Sequence, residues 1–197
     1  MIEAYLMHEK ERNAQGIPAL PLTPEQTTSL CEMLQSPPAG NEEFLMSLIT
    51  ERVSPGVDPA AEVKAGFLTD ILSGARKSPL IDKKKAVQIL GTMIGGYNVQ
   101  PLIGALSDSA LADEAAAALS GMTYVYDAAD QVIELSKSNA AAKKVVESWA
   151  AAEWFTNKPV LDEIIKVKVF KVEGEINTDD FSPAGDAWSR PDIPLHA

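Results

Sequence analysis

The sequence predicts a mainly α-helical fold: a helical domain of the α-solenoid type over residues 1–160, then the first strand and loop of an incomplete second domain over residues 161–197. Three observations carry this prediction. Oxygen-bearing helix caps recur through the first part, apolar residues follow them at helical spacing, and the spacing changes to alternation near residue 165. A helix repeats every 3.6 residues and a strand every two, so the change marks a new kind of structure.

The predicted helix starts share one chemistry. In Thr23-Pro24-Glu25-Gln26, threonine is the N-cap, proline takes the first helical position and glutamine completes a capping box. Asp58-Pro59 repeats the cap-plus-proline arrangement 35 positions later. Asn41 and Asp82 precede two further helices, where their side-chain oxygens can accept from unpaired backbone N–H groups.

Apolar stripes follow these caps at helical spacing, and core packing explains them without a function. The stripes are Phe44, Leu45, Leu48, Ile49 and Arg52-Val53; Val63, Phe67, Leu68, Ile71 and Leu72; and Val87, Leu90, Gly91 and Ile94. Stop signals follow at Pro37-Pro38-Ala39-Gly40, Ser54-Pro55-Gly56, Gly74 and Gly95-Gly96. Short helices with a recurrence of about 35 residues are typical of HEAT or TPR repeats, so we expect a HEAT-like arrangement.

A second helical group is predicted at residues 108–119, 126–137 and 140–155. Trp149 and Trp154 are five residues apart on the last helix and should cover different faces, one inward and one against a neighbouring element. Asn157-Lys158-Pro159 should end that helix, and we place the domain boundary near residues 158–163.

The segment Ile165-Lys166-Val167-Lys168-Val169 alternates apolar and cationic residues, which is the pattern of a half-buried strand. A single strand needs partners for its backbone groups. No second strand is predicted before it, so we expect the chain to stop inside its second domain.

The net charge is −11, and it is spread over both predicted domains. Residues 1–157 hold 12 basic and 20 acidic side chains, and residues 158–197 hold 5 and 8. Neither part offers the positive field that a nucleic-acid backbone requires. The one dense basic run, Lys83-Lys84-Lys85, is more readily explained as a solvated helix face than as a nucleic-acid patch.

The chain has a single cysteine, Cys31, which excludes an internal disulfide and fits a reducing compartment. Its apolar helical context favours a buried structural thiol over a reactive or metal-binding one. The first twelve residues are charged and unlike a secretory signal, and no apolar run approaches the ~18 residues of a membrane span. We therefore expect a cytoplasmic protein without a membrane partner.

The segment after the predicted strand carries the candidate site. Short oxygen-bearing side chains cluster there and can hold a loop rigid by capping backbone N–H groups; they are Asn177, Thr178, Asp179, Asp180 and Ser182. Three prolines stiffen the stretch around Arg190. A fixed guanidinium suits bidentate binding of a carboxylate, but from the residues alone an ion pair with Asp186 or Asp192 is the simpler explanation of Arg190.

The stretch from Gly174 to Ala184, GEINTDDFSPA, resembles the G-x-x-x-T-D-x-x-S-x-A loop of the swivelling domain in the aconitase superfamily. Its continuation to Ala197 resembles the bacterial aconitase B branch, which implies a HEAT-like domain followed by the first strand and loop of an α/β swivelling domain. Matching segments upstream are PPAG with EEFL at 37–45, VKAGFL at 63–68, LGTM with GGYN at 90–98, and SWA with AEWF at 148–155. This sequence departs at Gln100, where histidine is expected, and at Gly185, where proline is expected.

The resemblance implies an enzyme that isomerises citrate and isocitrate through cis-aconitate in the tricarboxylic acid cycle. A [4Fe-4S] cluster held by three cysteines acts there as the Lewis acid. By resemblance, Arg190 binds a substrate carboxylate, and Thr178, Asp179 and Ser182 lie near the active site. The cluster cysteines and the catalytic serine have no counterparts in these residues, so the chain alone should bind no metal and be inactive.

The resemblance also implies partners and leaves alternatives. The helical domain of the family is associated with protein contacts, including self-association, and cluster-free aconitases can bind messenger RNA. One alternative is a stand-alone helical-repeat protein-binding module. Another is an RNA-binding regulatory module, against which the acidic charge of the helical part argues.

Overall fold

The structure is a computed structural model that describes residues 1–122, 125, 128–157, 160–167, 174 and 177. Ten α-helices lie within these residues: α1 (Ile2–Ala14), α2 (Pro24–Gln35), α3 (Glu42–Glu51), α4 (Pro59–Ser73), α5 (Lys83–Leu90), α6 (Val99–Ala105), α7 (Ala112–Ser120), α8 (Ala128–Ser136), α9 (Ala140–Ala150) and α10 (Glu153–Thr156). The prediction of a mainly helical chain is confirmed for this part.

The predicted helix caps form as expected in three of four places. Thr23 and Gln26 make the reciprocal hydrogen bonds of a capping box at the start of α2. The Asp58 carboxylate accepts from Ala60 N–H at 2.7 Å, and Asp82 accepts from Lys85 N–H at 2.7 Å. Asn41 precedes α3, but its side chain makes no capping bond.

The helices pack serially, each against partners close to it in sequence. α2 contacts α3 and α4, α4 contacts α5, α5 and α6 contact α7, and α9 contacts α7, α8 and α10. One hydrophobic cluster runs through these contacts from Tyr5 to Val145. Short helices are marginal alone, so this burial is what holds them. The HEAT-like repeat itself stays a prediction.

Several predicted elements have different limits in the structure. The predicted helix 140–155 is broken: α9 ends at Ala150, and Ala152 adopts the left-handed conformation with φ 52° before α10 begins. Trp149 packs inward and donates from Nε1 to Leu119 O at 2.9 Å, whereas Trp154 is 49% exposed. Trp154 meets Phe155 edge-on and lines a pocket together with Ser120 and Gly121 at the end of α7, and its packing against a neighbouring element stays a prediction.

Two other stretches also differ from expectation. Ile94, assigned to the third apolar stripe, is 53% exposed because α5 ends four residues earlier, at Leu90. Residues 165–167 have no regular secondary structure, and the rest of the predicted strand at 168–169 lies outside the described residues. That strand, like the domain boundary beside it, stays a prediction.

A close backbone contact joins the loop after α3 to the turn after α5. Ile94 N–H donates to Pro55 O at 2.8 Å, which brings Gly95 against Gly56. A Cβ on Gly95 would lie 2.8 Å from Gly56 Cα and closer still to its carbonyl group. Buried Asn98 closes the same turn, because its Nδ2 donates to Leu90 O at 2.7 Å and to Met93 O at 2.8 Å.

We predict that Gly95→Ala destabilises the chain by about 3 kcal/mol, because the added methyl group must push one loop off the other. Chemical denaturation followed by circular dichroism measures this. The matched control is Gly66→Ala, on an exposed face of α4 with open space at its Cβ position. It should stabilise the helix by about 0.5–1 kcal/mol. Equal stability of Gly95→Ala and wild type would contradict the tight contact.

Candidate functional site

The site residues predicted from the sequence lie outside the described residues. This applies to Arg190 and to Thr178, Asp179 and Ser182. Within the predicted loop the structure describes Gly174, with φ 97°, and Asn177, which has an interaction partner. The assignment of Arg190 to a substrate carboxylate therefore stays a prediction.

Within the described part, a cleft of about 400 Å³ lies between α1, the loop after it, the end of α3 and the buried face of α4. Its lining includes three cationic side chains and one carboxylate: Arg12, Arg52, Lys64 and Glu51. Three hydroxyl side chains, those of Thr50, Ser54 and Thr92, also line it. The cleft is therefore locally cationic on a chain whose net charge is −11.

The two arginines of the cleft are fixed by neutral oxygens. Arg52 donates from Nε to Tyr5 Oη at 2.7 Å and from Nη2 to Ala19 O. Arg12 donates from Nε to Pro18 O at 2.8 Å. Among the described residues, neither guanidinium lies within ion-pair distance of a carboxylate. Each keeps further N–H donors, since a guanidinium carries five.

Two buried polar side chains complete the cleft lining. Lys64 and Ser54 are each only 1% exposed. The Ser54 hydroxyl finds no hydrogen-bond partner in the described structure, and Lys64 has no carboxylate within ion-pair distance there. Lysine is almost never buried this fully unless it is paired. The combination marks Lys64 as a candidate functional residue.

Burial is the main cause of the pKa shifts of Lys64 and of its neighbour Cys31. Desolvation lowers the pKa of Lys64 to about 8, with a smaller opposing effect of Cys31. Desolvation also raises the pKa of the Cys31 thiol to about 12, although Arg76 and Lys64 oppose this. At neutral pH the thiol is protonated and Lys64 is charged. The prediction of a buried structural cysteine is confirmed.

Lys64 was missed in reasoning from the sequence, although a signal for it exists. Its neighbours three and four positions away on α4 are Ala60, Ala61, Phe67 and Leu68, which places a lysine within the apolar stripe. Long lysine side chains can reach water from such a position, so the pattern alone does not predict burial. The helix packing around α4 decides it.

Other residues singled out in the sequence have local roles. Lys83, Lys84 and Lys85 are exposed on α5, and Lys84 pairs with Glu114 of α7, so the solvated-face interpretation is confirmed. Gln100 donates from Nε2 to Gln131 Oε1 at 3.0 Å and thereby links α6 to α8. The described residues contain no group of His, Cys, Asp or Glu suited to hold a metal ion, and no helix long and apolar enough for a bilayer.

We predict that Lys64→Met raises the free energy of unfolding at pH 7 by about 2 kcal/mol, since it removes a buried ammonium at similar volume. Burial lowers the pKa of Lys64 in the folded state, so the unfolded chain binds more protons between about pH 8 and the ordinary lysine pKa of 10.5. As the pH rises across that window, the free energy of unfolding of the wild type therefore increases relative to that of the variant. Urea denaturation at several pH values measures the difference.

The control for this measurement is Lys144→Met. Lys144 is exposed on α9 and pairs with Asp113 at 2.8 Å. Lys144→Met should therefore change the free energy of unfolding only slightly, and the change should not depend on pH between about 8 and 10.5. A Lys64→Met variant that is less stable than wild type at every pH would contradict the buried, unpaired ammonium.

Comparison with known proteins identifies the family. Residues 4–155 match the family described as Aconitate B N-terminal domain, and residues 167–197 match Aconitate hydratase 2 N-terminus. The whole chain is 57% identical to aconitate hydratase B of Pseudomonas aeruginosa and of Escherichia coli, and 55% identical to that of Synechocystis. It spans 23% of the length of each of these relatives. The chain therefore belongs to the aconitase B N-terminal domain family.

Proposed function

We propose that this chain is the helical N-terminal part of an aconitate hydratase, a lyase that isomerises citrate and isocitrate through cis-aconitate in the cytoplasm. The observation that carries the proposal is the 57% identity to aconitate hydratase B over the full chain. Because the chain spans 23% of those relatives, the activity belongs to a longer protein. The described helical part supplies surfaces for packing and for protein contacts, and the reaction centre lies elsewhere in that longer protein.

The residues of this chain do not fit the [4Fe-4S] cluster that such an enzyme uses. A cluster with one open iron needs three cysteine thiolates. The chain has one cysteine, and burial keeps the Cys31 thiol protonated with a pKa of about 12. We therefore assign no step of the reaction to Cys31, and we expect the chain alone to be inactive.

The contribution that we propose for this chain to substrate binding is the guanidinium of Arg190. Support comes from its sequence register: residues 167–197 match Aconitate hydratase 2 N-terminus, and the T-D-x-x-S pattern of the superfamily loop falls on Thr178, Asp179 and Ser182. A guanidinium binds a carboxylate through two parallel N–H···O bonds, which fixes orientation as well as position. The three loop residues would hold this segment in shape through local hydrogen bonds.

We predict that Arg190→Lys in the full-length enzyme lowers kcat/KM for citrate by a factor corresponding to about 2–4 kcal/mol, because an ammonium cannot replace the bidentate contact. Steady-state kinetics measures this, and a thermal melt should show an unchanged Tm. Arg76→Lys is the matched control, because Arg76 pairs with Asp70 at 3.0 Å on the surface. Wild-type kinetics with a lower Tm would assign Arg190 to a structural ion pair with Asp186 or Asp192.

We further propose that the helical part self-associates. Its support is the apolar surface around α1, where Leu6, Met7, Ile17 and Leu20 are between 37% and 65% exposed. Leu20 lies beside α1, since its N–H donates to His8 Nε2 at 3.0 Å. We do not extend the proposal to messenger RNA, because residues 1–157 carry an excess of eight acidic groups.

We predict that the 197-residue chain sediments as a dimer at high micromolar concentration, and that Met7→Glu returns it to monomer by placing a charge in the apolar contact. Sedimentation velocity over a concentration series measures this. Glu3→Gln, on the exposed surface of the same helix, is the control and should leave the dimer intact. A monomer at every concentration would reject the proposal.

A further inference from the structure

The cleft of Arg12, Arg52 and Lys64 has no role in the proposed function, yet it holds the most unusual electrostatic arrangement in the described structure. Three cationic side chains converge there on an acidic protein, and the carboxylate in the lining, Glu51, is exposed. Surface lysines elsewhere in the described part, such as Lys84 and Lys144, have carboxylate partners. Within the described residues, none of the three cations of the cleft has a carboxylate within ion-pair distance.

We propose that this cleft is a binding site for a small oxyanion, a phosphate or a carboxylate carried by a metabolite-sized molecule. Its volume of about 400 Å³ lies within the range of small-molecule sites. Tyr5, Ala19 and Pro18 already fix the two guanidinium groups, so a ligand would meet donors held in place. Ser54 adds a buried hydroxyl without a partner, which can donate to an anion oxygen.

Lys64 supplies the buried charge of this site. An ammonium away from water is costly, and an anion beside it offsets that cost because the attraction acts at low dielectric. The other charged or titratable groups around it are Cys31 on α2, Arg12 on α1, and Glu51 and Arg52 at the end of α3. Of these, Glu51 is the one anion, and it lies beyond ion-pair distance of Lys64. The site therefore has net positive charge before the ligand enters.

The oxyanion site is tested on the 197-residue chain with two probes, inorganic phosphate and citrate, each against sodium chloride at matched ionic strength. Titration calorimetry should detect one-to-one binding of at least one probe, and the tighter probe identifies the ligand as a phosphate or a polycarboxylate. Lys64→Met and Arg12→Gln should each weaken that binding by about tenfold or more. Lys144→Met, a lysine outside the cleft, should bind as wild type does.

A second measurement separates a site from general charge effects. Lys64 has a pKa of about 8, so near that pH an anion that binds its ammonium draws a proton from the buffer. Binding heats at pH 8 should then differ between two buffers of different ionisation enthalpy, and Lys64→Met should abolish the difference. Absence of binding for both probes, or equal binding by wild type and Lys64→Met, would overturn the proposal. Because Arg190 is not involved, this outcome is independent of the kinetic test above.

Discussion

The contact between the loop after α3 and the turn after α5 determines how the first half of the structure is assembled. Gly56 and Gly95 approach so closely that no side chain fits between them, and Ile94 N–H bonds to Pro55 O across the same contact. Two connections that are about 40 residues apart in sequence thereby become neighbours. Since Ser54 and Pro55 on one side and Thr92 on the other all line the cationic cleft, this backbone contact also shapes that site.

Local sequence signals were sufficient to predict most of the helices. Tertiary contacts account for the differences between the predicted and the observed helices. Caps such as Thr23 and Asp82 act within a few residues, so their sequence patterns were sufficient. The break between α9 and α10 was not predictable, because alanine at position 152 favours a continuous helix. One long-range and one local bond accompany the break instead: Trp149 bonds to Leu119 O of α7, and Ser148 donates to Glu153 Oε2 across the break at 2.7 Å. α6 was missed because Pro101 and Gly104 suggest a loop, although Val99 and Leu102 are buried.

The two candidate sites differ in the same way, because one follows from a contiguous stretch of sequence and the other depends on tertiary contacts. The Arg190 segment could be proposed from the sequence because its short polar residues and prolines form a contiguous pattern that resembles the loop of the aconitase swivelling domain. The cleft could not, because its lining comes from five separate segments, represented by Arg12, Ala19, Arg52, Lys64 and Thr92. No periodicity links these positions, and the burial of Lys64 follows from the packing of α4 against its neighbours.

The neutral Cys31 thiol beside Lys64 supports the proposal that an anion binds in the cleft. A lysine beside a cysteine often stabilises the thiolate and lowers its pKa. Here desolvation outweighs that attraction, because burial raises the pKa of Cys31 to about 12 even though Arg76 and Lys64 act to lower it. The thiol therefore stays neutral wherever Lys64, with a pKa of about 8, is charged. Cys31 provides no counter-charge at neutral pH, and the compensation for the Lys64 ammonium must come from the open side of the site, which is the cleft itself.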